Sequence, residues 1–219
     1  MNSQNIPKTT ILLILFVLTT YVARSQQIYI EQGENSSSII YTNTEGAILE
    51  NLFKQSNNFL VLGYRRRLIQ ESLHFYFGAQ YSAHGSLGSD TKTKNFMAWN
   101  MQYAGVETGL DLKLFRIHKA IFYLKTGGSA SLLVRGYQIL NAEVLNLKNH
   151  NDFQQPLIMY NAGVMIALPL TKQLRLYANY SSAKSLSLIT NSSDLPSQET
   201  LFIKSDYLSF GLRVNLSSN

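Results

Sequence analysis

The chain has no cysteine, only four prolines and only four histidines in 219 residues. Without cysteine there is no disulfide framework, and no thiol follows the N-terminal apolar run to carry a lipoprotein anchor. Charge is also scarce: charged residues make up 15% of the chain, with a formal net charge of +6. There is no lysine-rich tail and no basic helix, so the electrostatic footprint of a nucleic-acid binder is missing. Beyond the N-terminus no apolar run is long enough for a transmembrane helix, so any entry into a membrane must use strands. A phosphate-cradling glycine loop, a metal-ligand cluster and a serine elbow are all absent, and no cofactor is implied.

The N-terminus reads as an address. Polar "MNSQNIPKTT" precedes the apolar run "ILLILFVLTTYV" and then "ARS", with Ala23 and Ser25 as the small residues of a cleavage site before Gln26. That pattern predicts a secretory signal peptide over 1–25. The remaining 26–219 is about 190 residues, enough for one domain.

What this remainder does have is alternation. In "SLHFYFGAQYSAHG", Leu73, Phe75, Phe77, Ala79, Tyr81 and Ala83 share one parity, and His74, Gln80 and His84 fall on the other. The same two-faced pattern recurs from Asn58, Asn100, Ala120, Pro156, Gln173 and Asp206, which predicts seven strands of roughly 9–15 residues. Tight connections near 67–72, 115–120 and 169–174 alternate with long polar ones near 85–98, 138–155 and 185–203. Strict alternation of short and long connections is the signature of an up-and-down outer-membrane barrel with short periplasmic turns and long external loops. The pattern then requires an eighth strand near the start. "SSSIIYTN" (36–43) is the best candidate, with Gln27–Gln32 as an extension, and a short helix is plausible where Ile48, Leu49, Leu52 and Phe53 sit at helical spacing.

The charges choose a face. Glu107, Asp111, Lys113, Lys125, Arg135, Arg175 and Arg213 share the polar parity with Arg65, opposite an almost continuous apolar parity. Arg66 is the exception, at a strand end. A charge on a lipid-facing position at mid-membrane costs about 2–4 kcal/mol, so this segregation is expected under bilayer selection. The eight polar-parity charges are therefore expected to form a lumenal network, with arginines paired to Glu107 and Asp111 because unpaired charges in a dry lumen are costly. Tyr64, Tyr81, Phe115 and Tyr180 are expected at the membrane interfaces. A soluble periplasmic barrel, with the apolar parity lining a ligand cavity, is the alternative that shares this pattern.

The signal sequence, "ETGLDLKLF", "FYLKTGGSASLLVRG" and the terminal "YLSFGLRVNL" resemble the small outer-membrane β-barrel domain proteins of Gram-negative bacteria. The resemblance implies an all-β, eight-stranded antiparallel transmembrane barrel, in contact with outer-membrane lipid and lipopolysaccharide and inserted by the barrel assembly machinery. It further implies a structural or surface-interaction role on external loops, toward an unnamed protein partner. Some barrels of this kind modify lipid A by acyl hydrolysis or transfer. The only grouping here that suits such chemistry is His84 with Ser82, Ser86 and Asp90. His74 and His84 lie ten residues apart, about 33 Å along a strand, too far to share a metal. A filled lumen without enzymatic activity is the expectation carried forward.

Overall fold

The computed structural model describes residues 26–42, 46, 52–89, 96–141, 143–149, 153–188 and 200–216. The signal peptide and most of the helix expected between β1 and β2 lie outside the described residues. Nine strands follow in order: β1 (Gln26–Thr42), β2 (Leu52–Ile69), β3 (Leu73–Ser89), β4 (Phe96–Ile117), β5 (Ala120–Leu140), β6 (Glu143–Asn146), β7 (Leu157–Pro169), β8 (Leu174–Ser185) and β9 (Thr200–Asn215). Eight of them close into an antiparallel ring in the order β1-β2-β3-β4-β5-β7-β8-β9, with β9 pairing back onto β1. β6 is a short flap on the external end of β5, followed by a 3-10 turn at Leu147–Asn149. The tight connections are Gln70–Ser72, His118–Lys119 and Leu170–Gln173. His118, at φ 52°, supplies the left-handed residue that a two-residue hairpin needs.

The first strand includes both 36–43 and the extension at Gln27–Gln32, running continuously from Gln26 to Thr42. One expectation is corrected: Leu52 and Phe53 open β2 instead of ending a helix. The outward residues of β2 before Phe59 are largely polar, so the apolar alternation fades there.

The leucine parity faces outward. Ile28, Leu62, Phe77, Leu110, Leu124, Val164, Leu176 and Phe210 are all exposed on the barrel's outer surface. This orientation excludes the soluble barrel with an apolar ligand cavity. Threonines in this band, Thr108 and Thr126, satisfy their hydroxyls by donating to the backbone carbonyls of Tyr76 and Asn161 at 3.1 and 3.3 Å. The residues opposite fill the lumen at the periplasmic end, where rings lie across glycines on adjacent strands. Tyr29 is paired with Gly63, Tyr76 with Gly109 and Tyr177 with Gly211. A Cβ at any of these glycines would overlap the tyrosine ring, so a small residue opposite a large one is what lets so narrow a barrel close.

Towards the external end the pattern turns inside out. On β9, Leu208, Phe210, Leu212 and Val214 point out, yet further along Leu201 and Ile203 are buried inside. On β4, Val106 and Leu110 are exposed, whereas Trp99 and Met101 are buried and Asn100 and Gln102 take the outer positions. β1 does the same, with Ile28 and Ile30 outside but Ile39 inside behind Ser36 and Ser38. The external half thus has an apolar core of Ile39, Trp99, Met101, Leu133, Leu157 and Ile203, closed over by Leu147 and Leu188. β1, β4 and β9 thus leave an apolar solvent and enter water at the inversion. On β4 the outward positions below it run from Val106 to Leu114, about the 9–11 residues that a tilted transmembrane strand requires.

A charge placed within the band tests this boundary. Leu110→Arg is expected to lower stability in lipid vesicles by about 2–4 kcal/mol, measured by urea titration of folded and unfolded gel mobilities. Gln102→Arg, beyond the inversion, should change it by less than about 0.5 kcal/mol.

Candidate functional site

The lumen of the membrane-spanning half is built from two linked charge clusters. In the first, Glu31 on β1 accepts four hydrogen bonds. Lys125 Nζ and Tyr177 Oη donate to Oε2 at 3.2 and 3.0 Å; Asn179 Nδ2 and Ser209 Oγ donate to Oε1 at 3.1 and 2.7 Å. Lys125 also stands 4.0 Å from Glu107, which accepts from Tyr29 Oη at 2.8 Å. The lysine's ammonium lies over the ring of Tyr76, 4.8 Å from its centroid. One buried cation thus serves two buried carboxylates, and hydroxyls and amides supply the remaining contacts.

The second cluster lies nearer the periplasmic turns. Arg65 Nε donates to Asp111 Oδ2 at 2.6 Å and Arg65 Nη1 to Gln27 Oε1 at 2.9 Å. Arg213 Nη2 approaches the same Asp111 oxygen at 3.5 Å. Each guanidinium lies over an aromatic ring: Arg213 is 4.2 Å from the Tyr177 centroid and Arg65 5.1 Å from that of Tyr123. His74 packs edge-on against Tyr123.

The eight charges expected in the lumen are therefore divided. Arg65, Glu107, Asp111, Lys125 and Arg213 are buried there. Lys113 is at the periplasmic rim, where its ammonium lies 3.2 Å from Glu71 in the β2–β3 turn. Arg175 is half-buried at the lumen's mouth, directly opposite Arg213 in the β8–β9 ladder. Arg135 is corrected: it is exposed on the outer side. Gln102 pairs with Arg135 but Tyr103 pairs with Leu133, so a bulge at Val134 shifts the parity by one and turns Arg135 out of the lumen.

Glu31, the best-connected carboxylate of the interior, is absent from the sequence-derived set. The signal that could have found it is the brief alternation of Ile28 and Ile30 against Gln27, Tyr29 and Glu31.

Of the candidate catalytic group, the fold keeps His84 on Ser82 and turns Ser86 to a backbone carbonyl. His84 is 1% exposed and faces inward between Tyr103 and Tyr207. Its Nε2 lies 3.2 Å from Ser82 Oγ and its Nδ1 3.1 Å from Ser205 Oγ. Ser86 donates to the Phe53 carbonyl at 3.1 Å, and Asp90 lies outside the described residues. The serine–histidine contact is thus sealed within packed side chains. Among the described residues no group of three or more metal-ligating side chains converges. Between the charge clusters and the apolar core is a cavity of about 30 Å³ bordered by Glu31, Glu107, Lys125, Gln80 and Tyr207, room for a water molecule or so.

No family model matches the chain, and no curated protein is similar to it in sequence. Solved structures are. The outer membrane protease OmpT of Escherichia coli superposes with a TM-score of 0.52 at 9% identity, covering 89% of this chain and 97% of that one. Neisserial surface protein A aligns with a TM-score of 0.46 at 12% identity over 86% of this chain and 97% of its own. Ail, the attachment invasion locus protein of Yersinia pestis, aligns with a TM-score of 0.38 at 14% identity over 87% and 99%. At such identities the likeness is one of fold. With the outward apolar band it defines a membrane-spanning, up-and-down β-barrel, the construction of outer-membrane proteins.

Replacing Lys125 with Met strands two buried carboxylates and is expected to cost about 3–5 kcal/mol. Adding Glu31→Gln should recover part of that loss, as read from denaturant midpoints. At the rim, the Lys113 ammonium holds the Glu71 carboxyl below the usual glutamate range. A depressed carboxyl lends stability above its unfolded pKa and loses it as pH falls through the folded value. The pair is well exposed, so the loss should stay under about 1 kcal/mol. Lys113→Met should return the Glu71 titration, followed by carboxyl NMR, to the ordinary range.

Proposed function

We propose that this protein is a non-conducting, non-enzymatic outer-membrane barrel that presents a rigid β-structured surface outside the membrane. The observation that carries the reading is the double closure of the lumen. Paired charges and tyrosines occupy the membrane half, and an apolar core capped by Leu147 and Leu188 occupies the external half. An interior of this kind supports a structural element better than a pore. The buried setting of His84 and Ser82 likewise favours a packing role for them over acyl transfer on lipid A.

The presenting surface, in this reading, is the tower formed by β3, β4 and β5. β4 and β5 are 22 and 21 residues long, about twice what a bilayer needs. Near its tip Phe53 is paired with Leu87, with Phe96 and Val144 on neighbouring strands, and all four are exposed. Apolar side chains exposed together in water are what a protein partner would cover. The belt below is read as the surface for outer-membrane lipid and lipopolysaccharide, with insertion by the barrel assembly machinery.

Planar-bilayer recordings should show no stepwise conductance for the folded protein, and a reproducible open channel would refute the closed-lumen reading. Binding of folded protein to host-cell or bacterial surfaces should fall at least several-fold in the Phe53→Asp/Val144→Asp variant. Heat-modifiable migration of that variant should stay intact.

A further inference from the structure

The periplasmic mouth of the lumen carries more cation than its carboxylates absorb. Arg65 and Arg213 both lie against one oxygen of Asp111, whose other oxygen has no hydrogen-bond partner, and Arg175 is at the same level of the barrel. Arg175 stands directly opposite Arg213 in the ladder, an arrangement of like charges that is unfavourable by itself. Beyond them, Lys113 occupies the Glu71 carboxylate, and Arg67 and Arg175 also lie near enough to favour its charged form. The other turns add exposed Arg116, Lys119 and Lys172, so the approach to the mouth is also positive.

The guanidinium donors are incompletely used. Arg65 Nη2, Arg213 Nε and Nη1, and Arg175 Nε are shielded from solvent without a hydrogen-bond partner, and the Arg65 and Arg213 residues are 1% and 3% exposed. Unpartnered buried donors cost stability in the free protein, and a cluster of them of one sign calls for an anion. Guanidinium forks match the tetrahedral oxygens of phosphate, with several parallel charge-assisted bonds. We infer that the periplasmic mouth is a binding site for a phosphate group, held by Arg175 and Arg213 with Arg65 behind them. The phosphate is that of an anionic phospholipid headgroup or of a free phosphate ion. Arg175, half-buried and nearest the opening, is the residue the ligand meets first. The inference rests on the chain spanning a membrane with its tight turns at the periplasmic side.

The test uses the full chain folded in nonionic detergent, with heat-modifiable migration confirming the barrel. Inorganic phosphate is titrated at constant ionic strength against chloride, followed by ³¹P line broadening and thermal midpoint. Saturable broadening and a raised midpoint with phosphate but not chloride are expected. Arg175→Gln should weaken the response on the order of tenfold, the loss of about one charge-assisted interaction, whereas Arg135→Gln, on the outer surface, should leave it unchanged. Micelles doped with phosphatidylglycerol or phosphatidylcholine identify the source. Competition by phosphatidylglycerol assigns a lipid headgroup, and its absence alongside phosphate binding assigns the free ion. A folded barrel that neither phosphate nor phosphatidylglycerol saturates, or whose response survives Arg175→Gln, overturns the inference and leaves the barrel reading standing. A chain that shows no heat-modifiable form in detergent or vesicles overturns both.

Discussion

The structure depends on one constraint: the same eight strands must satisfy lipid along one part of their length and water along the rest. In lipid an apolar side chain belongs outside and a charge must be buried and paired. In water the preferences reverse. The chain meets both demands without changing its strand pairing, by moving the apolar residues from the outward to the inward parity partway along. Leu208 and Ile203 on β9 sit on opposite sides of that change, as do Val106 and Met101 on β4. Backbone hydrogen bonding is continuous through it in the β3–β4 and β8–β9 ladders, whereas the β2–β3 and β4–β5 ladders carry register shifts in their external halves.

The two interiors that result are held by different physics. Inside the membrane half, the outer solvent offers no hydrogen bonds, and the lumen supplies them all. Glu31 with its four donors, and Asp111 between two arginines, are the nodes. Such networks add little net stability compared with apolar packing, but breaking one is expensive, so they favour one register over its neighbours. The external half is an ordinary apolar core that happens to be enclosed by a barrel. Packing there around Trp99 and Met101 rigidifies strands that would otherwise project as floppy hairpins.

Much of the architecture was legible residue by residue. The alternation in Leu73–Ala83 and the contrast between short and long connections contained the strand order, the closure and the outward face. Arg65, Asp111 and Arg213 could be assigned to the lumen from parity. Arg135 could not, because a single bulged residue at Val134 reverses every parity beyond it, and nothing local distinguishes a bulge from regular strand. Glu31 escaped because its strand is apolar outside for only two positions, Ile28 and Ile30, before the outer face becomes polar.

The division between sequence and fold follows from range. Side-chain parity is a local property with period two, so the sequence alone determined that this chain makes two-faced strands and, wherever a strand is free of bulges, which charges share a face. Which charges touch is a matter of register between strands far apart in the chain. Lys125 meets Glu31 across 94 positions, and Arg175 lands opposite Arg213 through the β8–β9 ladder. Only closure of the ring decides those meetings. It turned a list of polar-parity charges into one cluster of two carboxylates on a single lysine, one sealed histidine and one mouth left with unused guanidinium donors.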